Sequence, residues 1–328
     1  KLFEPMAQSG FLPLEKVYNW EPIPSEIKPE HRDKILGGQA NLWAEYMPDY
    51  RQAEYMIYPR LLALSEVLWA THYRDYKNFT ERLVEAQQRL DYGGINYHIP
   101  LPEGPQAQYV EFVDSVEVEL SNSLGYEIFY WTNQTNWTNW TSTTNLFNTT
   151  LLRAYTTFNG RNSDTIEVYY NKLSAPHPAA KHLLHNGLYR QRAYGYFPNT
   201  DSLDYVRFDI TDLVDSLIYD RNDTYFEPWI EVYQGYIKVD STDSYLITTD
   251  LEELWVDDIR VINNNGRLKR NQTQRALMVL EEGFHSIKAV YNNCVNDGFP
   301  AHWRKPEIRI KSLEEKEFRV LRPKDFYR

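Results

Sequence analysis

A tryptophan and a carboxylate stand two residues apart near the start of the chain, in a combination that suits sugar binding. They are Trp43 and Glu45, within the segment from Gly37 to Tyr46. The face of a tryptophan ring complements the apolar C–H face of a pyranose. A carboxylate is acceptor-only and can accept hydrogen bonds from two sugar hydroxyls. The pair predicts a subsite for one sugar ring; from position alone, a core Trp43 with a solvated Glu45 is an equally open alternative.

A buried strand is expected to position this pair. The run Ile35–Trp43 is nearly continuous in apolar residues and does not alternate, which is typical of a parallel strand covered on both faces. Such a strand would present Trp43 and Glu45 at its C-terminal end. In a barrel of parallel strands, that end faces the active-site mouth.

Two amphipathic helices are predicted after the strand. The first has a single apolar face made of Ile57, Leu61, Leu64 and Leu68, with Pro59 in its first turn or at a kink. The second contains Phe79, Leu83, Ala86 and Leu90 at the same spacing, with a predicted N-cap at Asn78 and a stop at Gly93-Gly94. Residues 1–98 are therefore predicted to be mixed α/β.

The period of the apolar residues changes after the proline-rich linker at 100–105. Leu152–Phe158 and Ile166–Tyr170 alternate and flank Asn159-Gly160, a strong hairpin signal. Residues 109–172 are predicted to form a small antiparallel β-sandwich, and residues 173–328 a second one. The strand candidates of the second unit are Tyr205–Ile210, Trp229–Val239, Tyr245–Thr249, Leu254–Ile262, Arg275–Leu280, His285–Tyr291 and Glu307–Ile310.

Residues 1–98 resemble the end of the catalytic (β/α)8 barrel of the family-20 glycoside hydrolases, the β-N-acetylhexosaminidases. The blocks that carry the resemblance, in family order, are Pro13–Tyr18, Glu21–Pro24, Gln39–Tyr46, Glu54–Met56 with Pro59-Arg60, and Leu64–Trp69. The resemblance implies that Trp43 stacks against the terminal N-acetylhexosamine and that Glu45 accepts hydrogen bonds from its distal hydroxyls. Arg60 and Glu66 also match the family pattern, but an arginine at a helix start is expected to tie elements together.

The rest of the chain resembles accessory modules. Residues 109–172 are similar to a short C-terminal domain of hexosaminidases and chitobiases. The C-terminal unit resembles protective-antigen-type β-sandwiches through Thr249–Leu251, Leu254–Asp257 and Leu280–Ile287. The predicted fold class is thus α+β multidomain: the last βα unit or units of a truncated (β/α)8 barrel, followed by two antiparallel β-sandwich domains.

No catalytic residue is predicted within this chain. The substrate-assisted mechanism that the resemblance implies needs an adjacent Asp-Glu pair: the Asp orients the substrate acetamide, and the Glu protonates the leaving oxygen. No such pair precedes Trp43 in a strand context. The parent protein is expected to hydrolyse terminal β-linked GlcNAc or GalNAc with retention and without a cofactor, together with the missing N-terminal part of the barrel. The chain alone is expected to be inactive; alternatively it is a glycan-binding or scaffolding module, or a structural tail that packs on the barrel.

Two further tryptophans, Trp137 and Trp140, lie in the polar segment 132–148. They could stack on glycan or fold back over the small β domain, and the low apolar content of that domain favours folding back.

Composition excludes several classes of function. The net charge of −11 argues against nucleic acid, and no apolar run is long enough to span a bilayer. Cys294 is the only cysteine, the histidines are scattered, and Thr249 stands where calcium-dependent lectins have an aspartate, so no metal is predicted. An extracytoplasmic location follows only from the family resemblance.

Overall fold

The computed structural model describes residues 2–5, 7, 10–44, 47–70, 73–180, 185–218, 228–265, 274–295, 299–300 and 305–328. Within this part of the chain, the α-helices all lie before residue 93. They are α1 (Leu14–Tyr18), α2 (Tyr50–Ile57), α3 (Arg60–Trp69) and α4 (Tyr76–Tyr92).

The first predicted helix is in fact two helices, because Pro59 separates α2 from α3. Tyr58, the residue before the proline, has an extended backbone with φ −95° and ψ 139°. Proline disfavours a helical conformation in the residue that precedes it. Leu64 is buried as expected, whereas Leu61 is exposed. The predicted apolar face is therefore only partly present.

The second predicted helix is confirmed as α4, which buries Phe79 and Leu83 and ends at Gly93. Its N-cap lies three residues before the predicted one. The carboxylate of Asp75 accepts a hydrogen bond from the backbone N–H of Asn78 at 3.2 Å, and this satisfies one of the free donors of the first turn.

The prediction of a buried parallel strand at Ile35–Trp43 is wrong. The segment has no strand partner among the described residues, and both Leu36 and Trp43 are exposed. A strand requires a neighbour to satisfy its N–H and C=O groups, and apolar composition cannot supply one. The segment approaches its surroundings closely at Gly38, where an added Cβ would be 2.7 Å from the Cη2 atom of Trp20.

Strands make up the rest of the described chain. In the first half they are β1 (Tyr109–Phe112), β2 (Val116–Val118), β3 (Glu127–Thr132), β4 (Thr135–Asn139), β5 (Thr144–Leu146), β6 (Thr150–Phe158), β7 (Arg161–Asn162), β8 (Ile166–Lys172), β9 (Leu188–Tyr194) and β10 (Ile210–Val214). They continue with β11 (Trp229–Val239), β12 (Asp243–Thr249), β13 (Glu253–Val256), β14 (Ile259–Asn263), β15 (Gln274–Leu280), β16 (Gly283–Asn292), β17 (Cys294–Val295), β18 (Phe299–Pro300), β19 (Ile308–Ser312), β20 (Arg319–Val320) and β21 (Phe326–Tyr327).

One ten-stranded sheet crosses the predicted boundary between the two β units. Its order is β20-β19-β12-β15-β1-β8-β6-β3-β4, with β7 paired to β6. Strand β1 is the link, because it runs parallel to both β15 and β8. The prediction of two separate, purely antiparallel sandwiches is therefore wrong. Alternation identifies a strand but not its partner, and Tyr109 pairs with Ala276, far along the chain.

A second sheet, in the order β10-β9-β11-β16-β13-β14 with β21 on β11, packs against one half of the first sheet. The core between them contains residues of β11 and β16 from one sheet and of β12 and β15 from the other. Another core lies under β1, β3, β6 and β8. Leu246 belongs to this second core, whereas its neighbours Tyr245 and Ile247 belong to the first, so β12 is buried on both faces.

Five of the seven strand candidates after residue 173 are confirmed, and two are wrong. Tyr205–Ile210 is not a strand: β10 begins only at Ile210. Leu254–Ile262 is a hairpin rather than one strand, because Asp257 and Asp258 both adopt positive φ, 46° and 63°. Aspartate tolerates this conformation better than most residues.

The hairpin at Asn159-Gly160 is confirmed. Both residues have positive φ, 49° and 75°, and the flanking residues Phe158 and Arg161 pair with each other. Asparagine followed by glycine suits the turn that matches the twist of the flanking strands.

None of the described helices is both long enough and apolar enough to cross a membrane.

Candidate functional site

A cleft of about 140 Å³ lies between the N-terminal segment, the residues around Trp43 and the junction of α2 with α3. Its described lining residues are Glu4, Pro5, Ala7, Gly10, Phe11, Leu12, Asn41, Leu42, Trp43, Met47, Tyr55, Met56 and Arg60. The cleft combines an exposed aromatic ring with polar groups, which is a common composition for a ligand site.

Trp43 is the accessible aromatic side chain of this cleft, with 57% of its surface exposed. In this chain, Trp43 is therefore not a core residue. Glu45, the other residue that the sequence singles out, lies outside the described residues. The structure thus places the tryptophan at a cleft, and the pairing of Trp43 with Glu45 stays a prediction.

Arg60 forms part of the cleft wall and ties its elements together, as expected. Its Nε donates to the carbonyl of Leu12 at 2.7 Å, and its Nη1 donates to the carbonyls of Tyr55 and Met56 at 3.3 and 3.0 Å. The guanidinium also lies 5.4 Å from the centroid of the Phe11 ring. Burial lowers the pKa of Arg60, and the nearby Glu4 partly opposes this shift.

The cleft lining includes a buried carboxylate, that of Glu4, which the sequence did not predict as a site residue. Glu4 Oε1 lies 3.0 Å from His98 Nε2, and Glu4 Oε2 accepts from the hydroxyl of Tyr55 at 3.2 Å. Burial alone would raise the pKa of Glu4, but the hydrogen bond from His98 and the charges of His98 and Arg60 outweigh burial and lower it. Burial, together with the charge of Glu4, raises the pKa of Tyr55.

This network could not be recognised in the sequence because 94 residues separate Glu4 from His98. Its one sequence signal is Tyr55, which belongs to a block that matches the family pattern. The three titratable side chains of the described lining, Glu4, Tyr55 and Arg60, each bond to other protein groups. The cleft is therefore suited to hold a ring, and its described lining offers no free acid–base pair.

Glu66 also has a structural role. It accepts hydrogen bonds from the guanidinium of Arg82 at 2.6 Å and from the hydroxyl of Tyr18 at 2.9 Å. It therefore joins α1, α3 and α4 and does not line the cleft.

The two later tryptophans have different surroundings. Trp140 packs against the core under the first sheet, with its ring centroid 5.0 Å from that of Tyr130. Trp137 is 44% exposed and leans on Tyr155, at 4.8 Å between ring centroids. Trp140 folds back on the domain, whereas the ring of Trp137 remains accessible; glycan contact by either residue stays a prediction.

Among the described residues, no group of three or more His, Cys, Asp or Glu side chains is arranged to hold a metal ion. The Nε2 atom of His177 lies 2.9 Å from a carboxylate oxygen of Glu111.

Comparison with known proteins agrees with the resemblance in the N-terminal blocks. Residues 1–72 match glycosyl hydrolase family 20, catalytic domain. A β-hexosaminidase of Porphyromonas gingivalis is 31% identical over 339 aligned positions, covering 97% of this chain and 43% of that protein. A chitooligosaccharidolytic β-N-acetylglucosaminidase of Ostrinia furnacalis is 35% identical over 95 positions, covering 29% of this chain and 16% of its own length.

These matches relate the chain to the glycoside hydrolases. More narrowly, residues 1–72 match the family-20 catalytic domain, and the chain as a whole is similar to part of a β-hexosaminidase. The chain spans less than half the length of the Porphyromonas relative. A PA14 sugar-binding domain from an RTX adhesin aligns with 43% of this chain and 97% of its own at 14% identity, with a TM-score of 0.33 that is too low to carry an argument.

Proposed function

We propose that this chain is the C-terminal part of an exo-acting β-N-acetylhexosaminidase, in which Trp43 and Glu45 form part of the subsite for the terminal sugar. One observation carries the proposal: the ring of Trp43 is exposed at a cleft, in a segment that matches the family-20 catalytic domain. An exposed indole ring beside polar groups is a suitable platform for the C–H face of an N-acetylhexosamine.

The proposed roles divide between binding and support. Trp43 stacks on the sugar ring, and Glu45 accepts hydrogen bonds from the distal hydroxyls. Arg60 and Glu4 keep the cleft walls in place through their bonds to Leu12 and His98, and neither is proposed to touch substrate. A binding surface held by buried bonds loses less conformational entropy when a ligand is bound.

The chemical step is proposed to rely on residues outside this chain. No Asp-Glu dipeptide occurs anywhere in the 328 residues. A general acid typically contributes a factor of about 10²–10⁴ to the rate, and the retaining substrate-assisted reaction also needs a group that orients the acetamide. We therefore expect a preceding barrel segment to supply both carboxylates, and residues 1–328 alone to show no turnover. The substrates proposed are glycans ending in β-linked GlcNAc or GalNAc, at an extracytoplasmic location.

The test measures hydrolysis of a nitrophenyl β-N-acetylglucosaminide by a longer protein that adds the barrel segment to this chain. Trp43→Ala should raise KM and lower kcat/KM because the stacking face is lost. Glu45→Gln should lower kcat/KM by about one to two orders of magnitude, since hydrogen bonds to a charged group are worth roughly 1.5–3 kcal/mol.

Trp69→Ala is the matched control, because Trp69 is largely exposed and does not line the cleft. It should leave kcat/KM unchanged. A Trp43→Ala/Glu45→Gln double variant with unaltered kcat/KM would disprove the subsite. Turnover by residues 1–328 alone would disprove the proposal that the catalytic carboxylates lie outside this chain.

A further inference from the structure

Among the described residues, only half the length of the outer face of the second sheet, which points away from the first sheet, is covered. The covered half contains Ala193, Ile230, Val232 and Val290. The segment 197–208 packs over these residues through Phe197, Leu203, Val206 and Phe208. The strands continue beyond this cover, so the segment forms a wall at one end of an open face.

A trough of about 490 Å³ occupies the open half. Strand pairing places side chains of four adjacent strands in one row across its floor: Tyr189 opposite Gln234, Gln234 opposite Lys288, and Lys288 opposite Trp255. Tyr236 and Ser286 form the next pair along β11 and β16. Amide, hydroxyl, aromatic and ammonium groups therefore line a single concavity.

One cationic side chain at this floor, that of Lys288, forms no ion pair with a described residue. Arg260 is paired, with Nη1 3.4 Å from Glu253 Oε1, and Glu253 also accepts from Trp255 Nε1 at 3.0 Å. Lys288 lies 5.5 Å from the centroid of the Trp255 ring and has no hydrogen bond or ion pair to a described residue. The ring of Trp255, bonded to Glu253, thus lies beside an ammonium group in the trough that donates to no described residue.

We propose that this trough binds a carboxylate-bearing sugar residue of a glycan. Lys288 would bind the carboxylate, while Gln234, Ser286 and the carboxylate of Asp258 would bind hydroxyls. The ring of Tyr236 offers an apolar surface for the C–H face of the sugar.

This mixture of groups favours an acidic sugar over other anions. Asp258 also lines the trough, and its charge disfavours a densely charged polyanion. A hydroxylated ligand offers O–H donors to the carboxylate of Asp258, whereas a fully deprotonated inorganic anion such as sulfate offers only acceptors. The proposal does not depend on hexosaminidase activity, because the trough and the Trp43 cleft have no lining residue in common.

The test is isothermal titration of purified residues 1–328 with three probes that contain no N-acetylhexosamine: methyl glucuronide, the methyl glycoside of N-acetylneuraminic acid, and tetragalacturonate. Each is compared with its methyl ester, which keeps the hydroxyls and removes the charge. At least one acid should bind at least tenfold more tightly than its ester, and 0.5 M salt should weaken its binding.

Lys288→Gln should reduce that affinity about tenfold, within the range for a charge-assisted hydrogen bond. Lys238→Gln is the matched control: it removes the same charge from β11, where Lys238 pairs with Asp240 at 2.9 Å outside the trough, and should change affinity less than twofold. Gln234→Ala should weaken binding of the acid and of the ester alike.

Three outcomes would overturn the proposal. They are the absence of binding by all three acids to protein with native circular dichroism, equal weakening by Lys288→Gln and Lys238→Gln, and displacement of the sugar by inorganic phosphate at the same concentration. The last result would show a general anion site rather than a sugar site.

Discussion

Replacement of Arg161 by alanine should loosen the helical part of the chain from the first sheet. Arg161 Nη1 donates to a carboxylate oxygen of Asp91 at 2.9 Å and to the carbonyl of Ile95 at 2.8 Å, while Nη2 donates to Asn96 at 3.3 Å. The guanidinium also lies 4.6 Å from the ring centroid of Tyr97. One side chain on β7 thus bonds to the end of α4 and to the residues that follow it.

The expected loss is about 2–3 kcal/mol in the free energy of unfolding. Hydrogen bonds to a charged group contribute roughly 1.5–3 kcal/mol when buried, but an exposed ion pair contributes only about 0–1. The side chain of Arg161 is 31% exposed and that of Asp91 24%, so water weakens the ion pair without replacing the bond to Ile95. A cation–π contact of this kind adds about 0.5–1 kcal/mol.

Urea unfolding followed by tryptophan fluorescence measures this loss, and hydrogen exchange of the α4 amides shows where it occurs. Arg153→Ala is the matched control, since Arg153 lies in the same sheet, pairs with Glu167 with both side chains about half exposed, and lies 5.4 Å from the centroid of the Trp131 ring. Its cost should be about 1 kcal/mol, because its ion pair is exposed and it bonds to no carbonyl like that of Ile95. Equal losses for the two variants, with unchanged exchange in α4, would refute the reasoning.

Three other predictions concern the β part of the chain. The hydrogen bond to Glu111 raises the pKa of His177, so this bond should contribute fully to the free energy of unfolding below pH 6.5, and its contribution should disappear as pH rises through the folded-state pKa. In urea titrations, His177→Gln should therefore lower the free energy of unfolding more at pH 6 than at pH 9. Gly235→Ala should destabilise by about 1–3 kcal/mol, because its Cβ would lie 2.4 Å from the carbonyl of Tyr327 and 2.6 Å from Leu188, and an unchanged melting temperature would contradict this. After dialysis, elemental analysis should find no stoichiometric calcium or zinc.

Several local features follow from the sequence alone because short-range geometry decides them. The strand β11 has the bounds predicted from the sequence, Trp229–Val239. Asn159-Gly160 forms a two-residue turn because these residues accept positive φ, and Gly93 ends α4. The family resemblance around Trp43 could likewise be recognised from the sequence, because each of its blocks consists of consecutive residues.

The strand β9 shows where a sequence pattern fails. Arg190 and Arg192 are both buried in it, which hides the strand from any search for alternating apolar residues. Arg190 pairs with Asp212 on β10 at 2.6 Å, and both arginines pair with Glu231 on β11, at 3.3 and 2.8 Å. A buried arginine is tolerated only with such a partner, and the partner is known only once the strands are paired.

Tertiary structure alone decided the larger arrangement and the candidate sites. The parallel pairing of β1 with β15 and β8, the contact of Glu4 with His98, and the row that ends at Lys288 and Trp255 all join residues distant in sequence. The segment Ile35–Trp43 also shows that strand formation depends on a partner: its composition suits a strand, yet no described strand lies beside it and none forms. Period and turn chemistry act over a few residues, whereas pairing and burial depend on which distant surfaces meet in the folded chain.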